Sequence, residues 1–110
     1  MNLKIIVLDN FAKEVKKLAK RYKQIASDLK ELEALLSEDA RSGVHLGGRC
    51  YKIRLANSSI PTGKSGGFRV IYYYLDEQNN IYLMSIYAKS DLENISDEKI
   101  IEILEDNGLL

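Results

Sequence analysis

Residues 11–38 read FAKEVKKLAKRYKQIASDLKELEALLSE, and how this run is divided decides the fold. Phe11, Val15, Leu18, Tyr22, Ile25, Leu29, Leu32 and Leu36 recur at alternating steps of four and three, which sets them along one stripe of an α-helix. Taken whole, the stripe suits a coiled coil. Ser27 or Asp28 nevertheless offers a second N-cap, and Asp28 with Glu31 has capping-box spacing. The run therefore divides into two helices, about 11–24 and 27–38, folded back as a hairpin. A chain of 110 residues forms one domain with one core, and a hairpin with a single apolar stripe needs a sheet to bury it against.

The sheet is legible on both sides of the hairpin. Leu3 to Leu8 is short, β-branched and apolar, and Asp9-Asn10 then offers a helix cap, so a strand leads directly into the first helix. Gly43, Gly47 and Gly48 end the helical region, after which the hydrophobic period changes from 3.6 to 2. Three strands are expected there, at about 50–56, 68–75 and 80–88. The polar run Asp76 to Asn80 suits a tight turn that joins the last two as an antiparallel hairpin. Phe68 to Leu75 is apolar on both alternating faces apart from Arg69 and the tyrosyl hydroxyls, as in a central strand. Ser96 caps a last helix through about Asp106, with Asp97 and Glu98 near its positive end and Asn107-Gly108 closing it. The class is α+β: an N-terminal strand and a helical hairpin packed on a small, mainly antiparallel four-stranded sheet, with a C-terminal helix.

The chain is 45% hydrophobic and 29% charged, the balance of an ordinary globular domain. Leu3 to Leu8 is too short for a signal-peptide core and nothing resembles a membrane span, so a cytoplasmic protein with no membrane partner is expected. Cys50 is the only cysteine, which rules out an internal disulfide and argues for a packing role rather than a metal site. The single histidine, His45, lies in a Gly-rich connection.

Net charge is zero, yet Ala40 to Leu75 carries Arg41, Arg49, Lys52, Arg54, Lys64 and Arg69 with no acid among them. Asp91, Glu93, Asp97, Glu98, Glu102, Glu105 and Asp106 crowd the C-terminus. A local cationic surface of this kind suits a polyanion, above all RNA. Lys52 and Arg54 share one strand face, while Tyr51, Ile53 and Leu55 take the buried one. A merely solvated face is the plain alternative for that pair. Arg69 is harder to dismiss: an arginine in a central strand needs solvent, an ion-pair partner such as Asp91 or Glu93, or an anionic ligand. Gly63-Lys64-Ser65 imitates the tail of a phosphate-binding P-loop, but Ser58 stands where the leading glycine belongs and a strand follows where a helix is required. Tyr72, Tyr73 and Tyr74 alternate faces and belong largely to the core, whereas Tyr87 and Lys89 share a face at the end of the last strand.

Together, the run Cys50 to Leu55, the Gly66-Gly67-Phe68-Arg69-Val70-Ile71-Tyr72-Tyr73 segment and Ile86-Tyr87-Ala88-Lys89-Ser90-Asp91 before a terminal helix resemble the RelE/ParE superfamily of type II toxins, most closely its HigB-like RelE branch. The resemblance covers nearly the whole chain. It implies a toxin that cuts messenger RNA in the ribosomal A site, held silent by a cognate antitoxin, with ribosome and mRNA as further partners and no metal or small-molecule cofactor. Carried over by position, Lys52 and Arg54 are the strand cations of such a site, Arg69 the arginine that stabilises the phosphate, and Lys89 the basic residue closing the last strand. Lys52, beside Arg54 and Arg69, is the candidate base, and Arg49, Lys64 and Ser65 are candidates for contact with flanking RNA or the ribosome. The catalytic tyrosine of the best-known sites would fall near Ile95, so either Tyr87 takes its part or the reaction runs without a tyrosine. The alternative on the same scaffold is a ParE-like toxin that inhibits DNA gyrase by binding, and a nucleic-acid-binding module without toxicity is a third reading.

Overall fold

The computed structural model describes residues 2–61 and 66–110. Lys4–Val7 is β1, Asp9–Ala19 α1, Ile25–Glu38 α2, Val44–Gly47 β2, Cys50–Leu55 β3, Phe68–Leu75 β4, Asn80–Ala88 β5 and Asp97–Asp106 α3. Five strands form one sheet in the order β1-β5-β4-β3-β2. All neighbours are antiparallel except β1 and β5, which run parallel. The sheet thus has five strands rather than the four expected. The additional strand is β2, whose residues are all exposed; Gly47 and Gly48, both at positive φ, turn the chain straight back into β3. Its missing apolar alternation is the reason it reads as a connection: as an edge strand it buries neither face.

The helical hairpin forms, but its joints are not where the capping signals point. α1 begins at Asp9 with Leu8 as an extended N-cap, and no side chain caps it. α2 begins at Ile25 rather than at Ser27 or Asp28. Asp28 is buried, and its carboxylate accepts the Ser58 backbone N–H at 3.1 and 3.3 Å, while the Gln24 N–H donates to the Ser59 hydroxyl at 3.0 Å. A helix start and the β3–β4 loop therefore satisfy each other's orphan backbone donors, which removes the need for a local cap.

The sheet has two unlike faces. On one, Ile53, Leu55, Phe68, Val70, Tyr72, Ile81 and Ile86 pack against Phe11, Leu18, Leu32 and Leu36 of the hairpin. Burying each of the large apolar side chains stabilises the fold by about 1.5–3 kcal/mol. On the other, Ile103 and Leu104 of α3 cover Leu8, Cys50, Ile71 and Met84. Cys50 is packing, as expected, and burial pushes its thiol pKa up. Among the described residues, no helix is long and apolar enough to cross a membrane.

β1 covers the edge of β5 only as far as Leu83. Beyond that point α1 replaces it. Asn10 Nδ2 donates to the Met84 carbonyl at 3.0 Å, and Glu14 Oε1 accepts from the Ile86 N–H at 3.1 Å and from the Ser85 hydroxyl at 2.8 Å. The ladder is irregular here, since Ile71 pairs with Ser85 and Tyr72 with Leu83, which leaves Met84 as the extra residue of a bulge. Burial pushes the Glu14 carboxyl up from its ordinary range, against the opposing effect of these hydrogen bonds.

Candidate active site

Strand register places three residues in one row. Arg54 of β3 lies directly across from Arg69 of β4, which lies directly across from Tyr87 of β5. Opposed Cα atoms of an antiparallel pair are roughly 4.5–5.5 Å apart, so two guanidinium groups start from neighbouring backbone positions on the same face. Lys52 is two residues from Arg54 along β3, about 7 Å away on that face. Lys52, Arg54, Arg69 and Tyr87 are therefore brought together, on the side of the sheet that carries α3.

Arg69 is only 6% exposed and donates to the Phe68 carbonyl at 3.2 Å. Burial, and then the charge of Arg54, pull its pKa below the usual arginine value. Arg54 is exposed and has no ion pair among the described residues. Like charges set opposite each other on a sheet destabilise it. Of the two acids expected as ion-pair partners for Arg69, Asp91 pairs with Arg21, and Glu93 lies 3.5 Å from Lys89 Nζ.

Glycine makes the row possible. A Cβ on Gly67 would come within 2.3 Å of the Leu55 carbonyl oxygen, so only glycine lets the chain enter β4 this close to the end of β3. The Gly67 carbonyl accepts the Lys89 N–H at 2.9 Å, which fixes where the chain leaves β5. From there residues 89–95 return across the cationic face. The Lys52 ammonium donates to Asn94 Oδ1 at 3.0 Å, and the Ile95 N–H donates to the Tyr87 hydroxyl oxygen at 3.4 Å. Tyr87 itself is 6% exposed, a floor to the site more than a wall.

Two of the expected cations lie elsewhere. Arg49 donates to the Glu77 carboxylate at 2.7 and 2.8 Å and to Asp76 at 3.1 Å, and Arg41 bonds the other Asp76 oxygen at 2.8 Å. Arg49 stands five residues before Arg54, roughly 17 Å along the strand. The uninterrupted cationic window thus splits in space: Arg41 and Arg49 are neutralised by acids of the β4–β5 turn, while Lys52, Arg54 and Arg69 gather on the α3 side of the sheet. The signal was available, because an antiparallel β3–β4 pair sets Arg49 beside the residues that enter that turn. Lys64 and Ser65 fall outside the described residues. Asn94, which bonds Lys52 here, carries no mark in the sequence, because nothing in its spacing ties it to β3.

A family model described as the RelE toxin of the RelE / RelB toxin-antitoxin system matches residues 4–106. Among solved structures, an arginine-to-alanine double mutant of E. coli RelE in the free state is 20% identical, with a TM-score of 0.60 over 96% of this chain and 98% of that one. The toxin-antitoxin complex RelBE of E. coli gives 22% identity and a TM-score of 0.59, covering 78% and 95% of the two chains. Isolated E. coli RelE gives 22% and 0.52, covering 96% and 98%. At these identities the solved structures speak for the fold.

Proposed function

The chain belongs to the RelE toxin family, and from that premise we propose that it is a ribosome-dependent endoribonuclease, the toxin of a type II pair that cuts messenger RNA in the A site and stops translation. One observation carries the reading. Arg54 and Arg69 face each other across β3 and β4 with Lys52 beside them, three cations on one face of the sheet that together suit a phosphate.

In this reading the RNA supplies its own nucleophile. The Lys52 side chain, as the free amine, takes the proton from a 2′-hydroxyl, the oxygen attacks the adjacent phosphorus, and the bond to the 5′-oxygen breaks as that oxygen takes a proton from water, leaving a 2′,3′-cyclic phosphate and a 5′-hydroxyl. Arg54 and Arg69 hold the non-bridging oxygens as charge accumulates on them, an effect worth several kcal/mol when the donors are already in place. Tyr87 supports Arg69 from the neighbouring strand, and Lys89 holds RNA next to the cut. Lys64 and Ser65, in the β3–β4 connection, are candidates for a further ribosome or RNA contact. Arg49, engaged with Glu77 and Asp76, has a weaker claim to such a contact. A cognate antitoxin, as in the E. coli toxin-antitoxin complex, completes the proposed system, which in this reading operates in the cytoplasm and draws on no metal or other cofactor.

The test is cleavage of a defined message in programmed ribosomes, with mapping of new 5′ ends. Wild-type protein is expected to cut within A-site codons only when ribosomes are present, and Arg69→Ala to lose at least about 100-fold in rate. Intact messages with arrested replication would instead favour the gyrase-directed reading, which the matched family does not support.

A further inference from the structure

Residues 89–95 are pinned at both ends and at the middle. The Lys89 N–H is bound to the Gly67 carbonyl at 2.9 Å, Arg21 holds Asp91, and Ser96 accepts the Lys99 N–H at 3.1 Å as the N-cap of α3. Between these anchors the chain sets the exposed Asn94 over β3, where its side-chain oxygen accepts from the Lys52 ammonium at 3.0 Å. The next residue, Ile95, donates its N–H to Tyr87. An isolated lysine has four rotatable bonds and wanders widely; one bound to a short side chain on an anchored segment is restricted.

We propose that Asn94 is a positioning residue for the cleavage reaction, holding the Lys52 amine over the Arg54–Arg69 row. This rests on the endoribonuclease reading given above and adds a group to it. A neutral carboxamide suits the task better than a carboxylate. It accepts one N–H from the ammonium without adding a charge that would hold the proton on Lys52, and its own N–H groups remain free to face an anionic backbone. The side chain never enters the bond-making step. Its contribution is to remove the conformations in which Lys52 points away from a 2′-hydroxyl.

The experiment is single-turnover cleavage of message in programmed ribosomes, followed against toxin concentration and pH, for wild type, Asn94→Ala, Asn94→Asp, Asn94→Gln and Lys52→Ala. Asn94→Ala is expected to lower the rate at saturating toxin about tenfold while the half-saturating concentration stays within twofold. Asn94→Asp, which turns the contact into an ion pair, is expected to move the acidic limb of the rate profile to higher pH. Asn94→Gln, which keeps the carboxamide, is expected to recover part of the rate. A wild-type rate and an unshifted profile in both Asn94→Ala and Asn94→Asp would overturn the inference while leaving the nuclease reading in place. Wild-type protein that leaves ribosome-bound messages whole would remove that reading and this inference with it. If Lys52→Ala alone keeps full activity, the object that Asn94 is said to position is wrong, and the inference falls while the reading stands on the arginines.

Discussion

At the scale of single residues, the proposed role of the Arg54–Arg69 pair sets function against stability. Two like charges in direct cross-strand register cost roughly 0.2–1 kcal/mol, and burial of Arg69 adds to the strain on its charged form. Replacing the exposed member by a neutral residue of similar length therefore has opposite consequences for the two properties. Arg54→Gln is expected to raise the free energy of unfolding by a few tenths of a kcal/mol in urea while lowering ribosome-dependent cleavage about 100-fold. A variant that loses stability along with activity would show that Arg54 serves the fold instead. Gly67 is the reverse case, a residue without chemistry that the site cannot lose. Its missing Cβ would sit 2.3 Å from the Leu55 oxygen and 2.9 Å from the Asn57 nitrogen, backbone atoms that cannot step aside. Gly67→Ala should destabilise by about 1–3 kcal/mol, read as a lower urea midpoint at unchanged slope.

At the scale of elements, the seam between α1 and β5 is where pH enters. Glu14 sits in the fold with its carboxyl pKa raised by burial, so the folded chain binds that proton more tightly than the unfolded chain does. The sign follows: its contribution to stability is greatest below the ordinary carboxyl range and declines as pH rises through the raised value. Glu14→Gln keeps an oxygen for the Ile86 N–H without a charge to desolvate, and is expected to flatten that decline and to match or exceed wild type at pH 7. Glu14→Leu leaves Ile86 without its acceptor and should cost about 1–3 kcal/mol, with urea midpoints at pH 5 and 7 distinguishing the two variants. Elements also mark how far the sequence could be read. The hairpin, the β4–β5 turn and the Ser96 cap were legible because each depends on local periodicity or on one residue's own geometry. β2 was hidden because an edge strand with two exposed faces has no alternation. The start of α2 was misplaced because Asp28 serves a loop that arrives 30 residues later. Among the candidate site residues, Lys52, Arg54 and Arg69 stand out as cations in apolar strands, whereas Asn94 becomes visible only once the chain has folded back over β3.

At the scale of the whole molecule, a net charge of zero conceals a surface of two signs. Association with ribosome-bound message through Lys52, Arg54, Arg69 and Lys89 should weaken with salt, with a slope of log affinity against log salt of about −3 for four single-strand phosphate contacts. A slope near zero would mean that shape, not charge, governs docking. The parallel pairing of β1 with β5 has a consequence in time. Lys4 must wait for Asn80 before the first strand has a place to dock, and at typical elongation speeds that wait is roughly 4–15 s. Throughout it the growing polypeptide has neither Tyr87 beneath its arginines nor residue 94 above its lysine. The emerging chain thus carries an incomplete candidate site until residues 87–95 have been added behind it.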